Sequence, residues 1–450
     1  MDRAAPEIPG ILESGNVTQD LKMIVSKLLN SPKPLKTFPG SQPVSFQHSD
    51  MKEKLSSHDY YVCEKTDGLR VLMLIVINPM TKEQSTFMID RENNYYLVNG
   101  FHFPKLPKKD KKELIETAQD GTLIDGELVI QTNPMTNLTE LRYLMFDCLT
   151  MNGRNLTHSP TSSRLAHLGK EFYKPYFDMR SIFPDRCINF PFKISMKQMN
   201  FSYDLVNVYK TLDKLPHLSD GLIFTPVNTP YVVGAKDSYL LKWKPEEENS
   251  VDFKLILQIP MVEDTSLPRK DPNRWYYNYD TKPTFELYVW QGGSDVNRKL
   301  EVFDQPFNKK EMNLLENTYR KFTDLEISDE KWEELKALNE PLNGRIVECT
   351  KDPETDEWLM LRFRDDKLNG NHSSVVQNVL ESINDSVKIE DLTEIVPIIK
   401  NNWDLRKNRH SNESSTSHAH INNRTQHQQQ QNSSSSMPEP KYVDDDDWSE

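Results

Sequence analysis

Glu64-Lys65-Thr66-Asp67-Gly68-Leu69-Arg70 runs directly into the apolar stretch Val71 to Ile77. That stretch is short and rich in branched residues, and it reads as a β-strand with a lysine at its approach. A lysine at a strand edge, beside a glycine that admits a ligand to the backbone and an arginine two positions further on, suits a nucleophile aimed at a phosphate. Taken alone, Lys-x-Asp-Gly is equally an exposed turn. Three further segments decide between the two.

Leu123-Ile124-Asp125-Gly126-Glu127-Leu128-Val129 places two carboxylates inside an apolar strand. At a period of two, Asp125 and Glu127 share a face opposite Ile124, Gly126 and Leu128. Buried carboxylates need hydrogen bonds or cations, so a ligand or metal fits that face. Leu240-Leu241-Lys242-Trp243-Lys244-Pro245 sets two lysines on one face, where they repel unless an anion lies between them, and phosphate is the usual anion. Arg362 and Arg364 repeat that arrangement near the end of Leu361 to Lys367, followed by Asp366 and Lys367; guanidinium groups suit triphosphate oxygens.

Outward from these segments, strand-like runs extend over Ser85 to Ile89, Tyr95 to Val98, Leu123 to Ile130, Leu141 to Leu149, Gly221 to Pro226 and Ser238 to Trp243. Helical patterns cover Thr18 to Leu29, Lys108 to Ala118, Ser162 to Tyr173 and Ser195 to Leu212. Helices inserted among hairpin-linked strands indicate an α+β domain with antiparallel sheets. Composition shifts sharply after Lys244-Pro245, which marks a hinge. Beyond it, strands at Val251 to Ile259, Thr284 to Trp290, Gly344 to Thr350 and Trp358 to Phe363, with helices at Lys309 to Phe322 and Ser328 to Leu338, are compatible with a small Greek-key barrel of the OB type. Val375 to Ile383 and Leu392 to Ile399 read as closing helices. The expected domains are 1–245, 246–400 and a disordered polar tail, 401–450.

The chain has 450 residues, a net charge of −13, 36% hydrophobic and 27% charged residues. The negative balance excludes a global positive field for coating nucleic acid, though not a local basic cleft. No stretch approaches the length and apolarity of a membrane span, and the start lacks a secretory leader. The four cysteines are isolated, with no zinc spacing, which points to a reducing compartment. Glycine is scarce, 15 in 450, and four follow an aspartate, at Gly68, Gly121, Gly126 and Gly221. Asp-Gly suits turns that need a positive φ.

In order, KTDGLR (65 to 70), FMIDRENNYY (87 to 96), LIDGELV (123 to 129), YLMFDCLTMNG (143 to 153), SDGLIF (219 to 224), LLKWKP (240 to 245) and LRFRDDK (361 to 367) resemble the covalent nucleotidyltransferase superfamily of mRNA capping enzymes and polynucleotide ligases. Within it they look like a fungal mRNA guanylyltransferase. The resemblance covers roughly residues 40 to 400. It implies an ATP-grasp-like ligase/capping fold followed by an OB-fold domain, and a reaction in which Lys65 attacks the α-phosphate of GTP and then passes GMP to the 5′-diphosphate end of nascent RNA.

By the same resemblance Arg70 and Glu127 would hold the ribose, Arg91 would touch sugar or phosphate, Phe146 would stack on guanine, and Lys197 would read the guanine oxygen. Asp220 would help hold Mg²⁺ or Mn²⁺, and Lys242 and Lys244 would contact the α-phosphate. Asp252 matches an aspartate of the family, with no role specified. Arg362, Arg364, Asp366 and Lys367 would orient the β- and γ-phosphates on closure of the hinge. Neighbouring cations, Arg70, Lys242, Lys244 and the metal, would help the lysine shed its proton, since a lysine amine ordinarily titrates near about 10.4.

Only about 60 residues precede Lys65, too few for an RNA triphosphatase domain. A separate RNA 5′-triphosphatase subunit is therefore expected. The resemblance also implies binding to the phosphorylated C-terminal repeats of RNA polymerase II and a nuclear location. Two other readings compete: an ATP-dependent polynucleotide ligase, and a non-catalytic scaffold that binds the polymerase tail.

Overall fold

The apolar run after Lys65 is a strand covered on both faces. Val71, Met73 and Ile75 pack into one hydrophobic cluster, while Leu72 and Leu74 pack into another. A strand buried on both sides needs apolar residues at every position, so it shows a continuous run instead of alternation. The computed structural model describes residues 6–246, 249–293, 309–352 and 355–422. The chain divides into two units, Met1–Trp243 with Ile389–Glu450, and Lys244–Lys388.

The strands of the first unit are β1 (Ile11–Leu12), β2 (Gln42–Ser45), β3 (Tyr60–Thr66), β4 (Leu69–Ile77), β5 (Gln84–Ile89), β6 (Tyr95–Val98), β7 (Thr122–Thr132), β8 (Thr139–Met151), β9 (Arg154–Asn155), β10 (Lys193–Met196), β11 (Asn200–Phe201), β12 (Ser219–Pro226) and β13 (Lys236–Trp243). The larger sheet has the order β1-β6-β5-β4-β7-β8-β10, with β9 on β8, and the smaller has the order β11-β3-β12-β13-β2. Pairing is antiparallel except for β10 on β8 and β2 on β13. Leu168, Phe172, Tyr176 and Met179 cover one face of the larger sheet from a continuous helical stretch. Leu21 and Val25 of the helix Gly15–Leu28 cover the other.

Two of the four Asp-Gly glycines have no positive φ: Gly68 lies at the bend between β3 and β4, and Gly126 inside β7. A Cβ at Gly68 would lie 2.4 Å from the carbonyl oxygen of Leu128, and one at Gly126 would lie 2.7 Å from that of Leu144. Close approach of β7 and its neighbours, and not a positive φ, requires glycine there. The turn reading holds for Gly121, at φ +66, while Gly221 sits in an irregularity where the pairing of β12 with β3 shifts register.

Several expected elements differ. The helix expected over Ser195 to Leu212 is in fact β10, β11 and only a short helix, Leu205–Thr211; parallel pairing with β8 and burial of Ile194 decide in favour of the strand. The helix expected over Lys108 to Ala118 shrinks to Glu113–Glu116. Its side chain is the reason: the Glu113 carboxylate accepts the backbone N–H groups of Lys108, Lys109 and Asp110, holding them as a loop. Strands β2 and β3 were not expected, because their sequences mix proline, serine and charge.

The second unit contains β14 (Ser250–Gln258), β15 (Met261–Glu263), β16 (Trp275–Tyr277), β17 (Thr284–Trp290), β18 (Tyr319–Leu325), β19 (Ile346–Lys351) and β20 (Trp358–Phe363). Five of them form an antiparallel sheet in the order β18-β17-β14-β19-β20, and β15 pairs with β16 alone. Phe322 on β18 meets Trp358 on β20 at a ring separation of 5.7 Å, so strands at opposite ends of the order curl together, as in a small barrel. The helix expected over Lys309 to Phe322 stops at Thr318, because Tyr319 to Leu325 pair with β17.

The helix Ile389–Asn422 belongs by its contacts to the first unit. Trp403 packs on Phe201 and Tyr203, and Asn402 and Arg406 bond to Ser56 and Asp59. The division therefore differs from the expected 246–400 block. The expected tail, 401–450, begins inside this helix, and residues 423–450 lie outside the described residues.

Candidate active site

Lys65 reaches its position through a zipper between β3 and the segment entering β12. The Asp67 N–H donates to the Leu218 carbonyl at 3.0 Å, and the Ser219 hydroxyl donates to the Lys65 carbonyl at 2.9 Å. The ladder slips between Ser219 and Leu222. In that slip Asp220 meets the nucleophile candidate, with Lys65 Nζ 2.6 Å from Asp220 Oδ1. Sequence reasoning surrounded Lys65 with cations; the partner seen here is a carboxylate.

Beside this pair, β4 and β7 set Arg70 opposite Glu127 and Leu72 opposite Asp125. Arg70 reaches diagonally to Asp125, with Nε at 3.1 Å and Nη2 at 2.7 Å, and donates Nη1 to the Ser41 carbonyl at 2.6 Å. The Tyr231 hydroxyl donates to the same carboxylate. Asp125 is therefore the anchor of Arg70, so the two carboxylates of the Asp-Gly-Glu run serve different partners. Glu127 accepts from the Thr66 hydroxyl at 2.7 Å, and Thr66 in turn takes the ammonium of Lys197.

Phe146 owes its place to a bulge. Asp125 pairs with Asp147 and Gly126 with Met145, so Phe146 is the extra residue on β8. A bulge releases one side chain from the ladder and re-aims it. Phe146 is half-buried between fully buried neighbours, with the Arg70 guanidinium 5.5 Å and the Lys197 ammonium 5.8 Å from its ring centre. Lys197 follows β10 and donates its own N–H to the Met145 carbonyl at 2.8 Å. It is a buried residue at a strand end, and not a helix lysine.

Charge is balanced around it. Lys197 Nζ lies 3.9 Å from both Glu64 and Glu127. Burial alone would lower its pKa, but Glu64 and its neighbours outweigh that and raise it, so it stays an ammonium. Burial likewise pushes Glu64 up, yet Lys197 and His217 bring its carboxyl below the usual range. Arg91, on the turn between β5 and β6, feels the charges of Arg70, Glu127 and Asp125. Lys242 stands on β13 opposite Ile223, between buried Leu241 and Trp243.

The remaining residues lie in the second unit. Lys244 is its first residue. Buried Asp252 accepts from Arg364 Nη1 at 3.2 Å and from Lys367. Arg364 also pairs with Asp366 at 2.8 Å, and Arg362 with Glu348 at 2.8 Å. Asp252 thus anchors Arg364 and Lys367 of the Arg-x-Arg-x-Asp-Lys run, while Glu348 holds Arg362 and also faces Arg364.

Among the described residues no three His, Cys, Asp or Glu side chains group as a metal cage. Sequence reasoning missed Glu64, Thr66, His217 and Tyr231. Thr66 and Glu64 flank the lysine and were within reach; His217 and Tyr231 carry no motif and are joined to the site only by folding.

Residues 4–246 match the family described as mRNA capping enzyme, catalytic domain, and residues 248–393 match mRNA capping enzyme, C-terminal domain. The chain belongs to the mRNA capping enzyme family. A capping enzyme relative in Candida glabrata, mRNA-capping enzyme subunit alpha, is 73% identical over 448 residues, covering 100% of this chain and 99% of its own. The protein of the same name in Saccharomyces cerevisiae is 70% identical, covering 100% and 98%. The mRNA-capping enzyme of Danio rerio is 31% identical over 48% of this chain and 34% of its own length. No helix of the described residues in this capping enzyme family member is long and apolar enough to cross a membrane.

Proposed function

We infer that this capping enzyme family member is an mRNA guanylyltransferase that works through Lys65. The reading rests on one observation above the others: Lys65 and Asp220 meet beside the Thr66, Lys197, Glu127 and Phe146 cluster. A primary amine, an aromatic face and a buried ammonium are what a guanine nucleotide needs for covalent capture.

In the first step the Lys65 amine, having lost a proton, attacks the α-phosphorus of GTP. An N–P bond forms, the bond from that phosphorus to the bridging oxygen breaks, and pyrophosphate leaves. In the second, a terminal oxygen of a 5′-diphosphate RNA attacks the same phosphorus, the N–P bond breaks, and the amine is restored as GpppN is released. Phe146 stacks on the base, Lys197 reads its oxygen, and Arg70, Glu127 and Arg91 hold ribose and phosphate. Lys242 and Lys244 take the α-phosphate, and Arg362, held by Glu348, with Arg364 and Lys367, anchored on Asp252 and Asp366, supply charge for the β- and γ-phosphates.

The donor set suits Mg²⁺ or Mn²⁺. These ions bind through one or two carboxylates plus substrate phosphates and not through a full protein cage, and Asp220 would offer a hard oxygen donor of that kind. When bound, the ion supplies charge neutralisation at the phosphates. Asp220 holds Lys65 as an ammonium pair, so opening that pair precedes attack.

The relatives named subunit alpha imply a second subunit. We propose an RNA 5′-triphosphatase as that partner, recruitment by the phosphorylated repeats of RNA polymerase II, and a nuclear location. The test is product analysis. Purified protein with labelled GTP and a divalent ion should convert 5′-diphosphate RNA to capped RNA and leave 5′-triphosphate RNA unchanged. Ligation of nicked strands with ATP would assign the ligase reading instead.

A further inference from the structure

One buried polar group near the site has no role in the reaction above. His217 is 7% exposed, and its Nε2 has no hydrogen-bond partner. That atom points at Glu64, 3.8 Å from Oε1. Its other ring nitrogen, Nδ1, lies 3.1 Å from Gln131 Nε2. An amide N–H donating to Nδ1 leaves the ring proton on Nε2, the tautomer that faces the carboxylate.

The surroundings fix this imidazole firmly. Gln131 and Thr132 end β7, and the Thr132 N–H donates to the Pro216 carbonyl at 2.8 Å. Four consecutive residues from His217 to Asp220 then meet the nucleophile run: His217 faces Glu64, Leu218 accepts from Asp67, Ser219 donates to Lys65, and Asp220 pairs with Lys65. Strand β7, which also carries Glu127, thereby holds His217 against β3.

We propose that His217 is a positioning residue for nucleobase discrimination, acting through Glu64 on Lys197. Lys197 Nζ is equally distant from two carboxylates, 3.9 Å from Glu64 and 3.9 Å from Glu127, while held by the Thr66 hydroxyl. Both are ion pairs beyond hydrogen-bond distance. Glu64 is largely buried and must find compensation for its charge. His217 supplies part of it at Oε1, the same oxygen that Lys197 faces. Without that donor, Glu64 turns to the Lys197 ammonium, which moves toward it and away from the Phe146 ring. Glutamine at 217 keeps an N–H at the Nε2 position; leucine fills the space and offers none.

This inference rests on the guanylyltransferase reading, in which Lys197 meets the guanine oxygen. The test compares GTP with 2-aminopurine riboside triphosphate, which lacks that oxygen and the N1 proton that goes with it, and keeps the purine skeleton and the 2-amino group. The quantity read is the ratio of kcat/KM for the two in lysyl-nucleotide formation, in the full chain with Mg²⁺.

His217→Leu is expected to lower that ratio about tenfold, the scale of one misplaced polar contact to a base. His217→Gln keeps it within about twofold of the parent. Gln131→Leu, which removes the partner of Nδ1, lowers it in the same direction and serves if the leucine variant does not fold. A residue that only maintains packing weakens both nucleotides equally and leaves the ratio unmoved. An unchanged ratio in His217→Leu or Gln131→Leu, or an equal loss in His217→Gln, overturns the proposal. Absence of any lysyl-nucleotide in the parent chain overturns the guanylyltransferase reading itself, and this inference with it.

Discussion

Lys65 and Asp220 stand 155 residues apart in the chain, yet Nζ and Oδ1 meet at 2.6 Å across neighbouring antiparallel strands. The contact sits where β12 slips in register against β3, between Ser219 and Leu222. Both side chains are mostly enclosed, so the pair is shielded from salt and its disruption has chemical consequences.

Replacing Asp220 by asparagine keeps the shape and removes the charge. The rate of lysyl-GMP formation at saturating GTP should fall at least about 100-fold, with a higher Mg²⁺ concentration needed for half-maximal rate. A timed labelling series over a metal titration reads both. A rate within about threefold of the parent contradicts the role given to Asp220.

Arg364 lies among Asp252, Glu348 and Asp366, and these carboxylates hold its side chain in place. Arg364→Ala should abolish the first step and spare RNA transfer from preformed enzyme-GMP, since no β- or γ-phosphate remains to be oriented in the second. Separate assays of the two half-reactions check this. Normal formation of the intermediate contradicts it.

Acid should weaken the fold through specific carboxyls. The hydrogen bond from Arg364 holds the Asp366 carboxyl down at about 2; Glu348 is pushed up by burial but brought below its usual range by Ser250 and Arg362. A folded-state pKa below the unfolded one contributes stability that is complete above the unfolded value, about 4. That contribution is lost as the pH falls through the folded values. The urea midpoint should therefore hold steady from pH 7 to about 5.5 and decline between about 4.5 and 2. A midpoint unchanged at pH 3 contradicts the assignment.

Trp403 joins the helix Ile389–Asn422 to the first unit. Its ring meets Phe201 at 5.5 Å and Tyr203 at 5.1 Å, with the Lys400 ammonium 4.1 Å from its centre. Trp403→Ala should lower stability by about 2 kcal/mol in urea unfolding. Ending the chain after Arg406 keeps these contacts and should leave nucleotidyl transfer intact; loss of transfer contradicts the tail's dispensability.

What the sequence disclosed follows from how local each signal is. Val71 to Ile75 announces a doubly buried strand in its own composition, whereas Trp358 to Phe363, also apolar in sequence, forms a strand on which Leu359 and Leu361 stay exposed. The Lys65 motif is contiguous, so the nucleophile was legible. Strand β10 was not, because a helical pattern over Ser195 to Leu212 yields to pairing with β8, a partner some 50 residues earlier. The partners of Asp125 were hidden for the same reason: alternation places it beside Glu127, but only the fold brings Arg70 and Tyr231 to its carboxylate. His217 has no motif at all and becomes visible once Gln131 and Glu64 flank it.

The most direct test of the account is covalent labelling. The full chain is incubated with α-³²P-labelled GTP or ATP and Mg²⁺, then separated under denaturing conditions beside Lys65→Ala. The account predicts an acid-labile label with GTP only, absent from the variant. Label with ATP instead, or label that survives in Lys65→Ala, would contradict it.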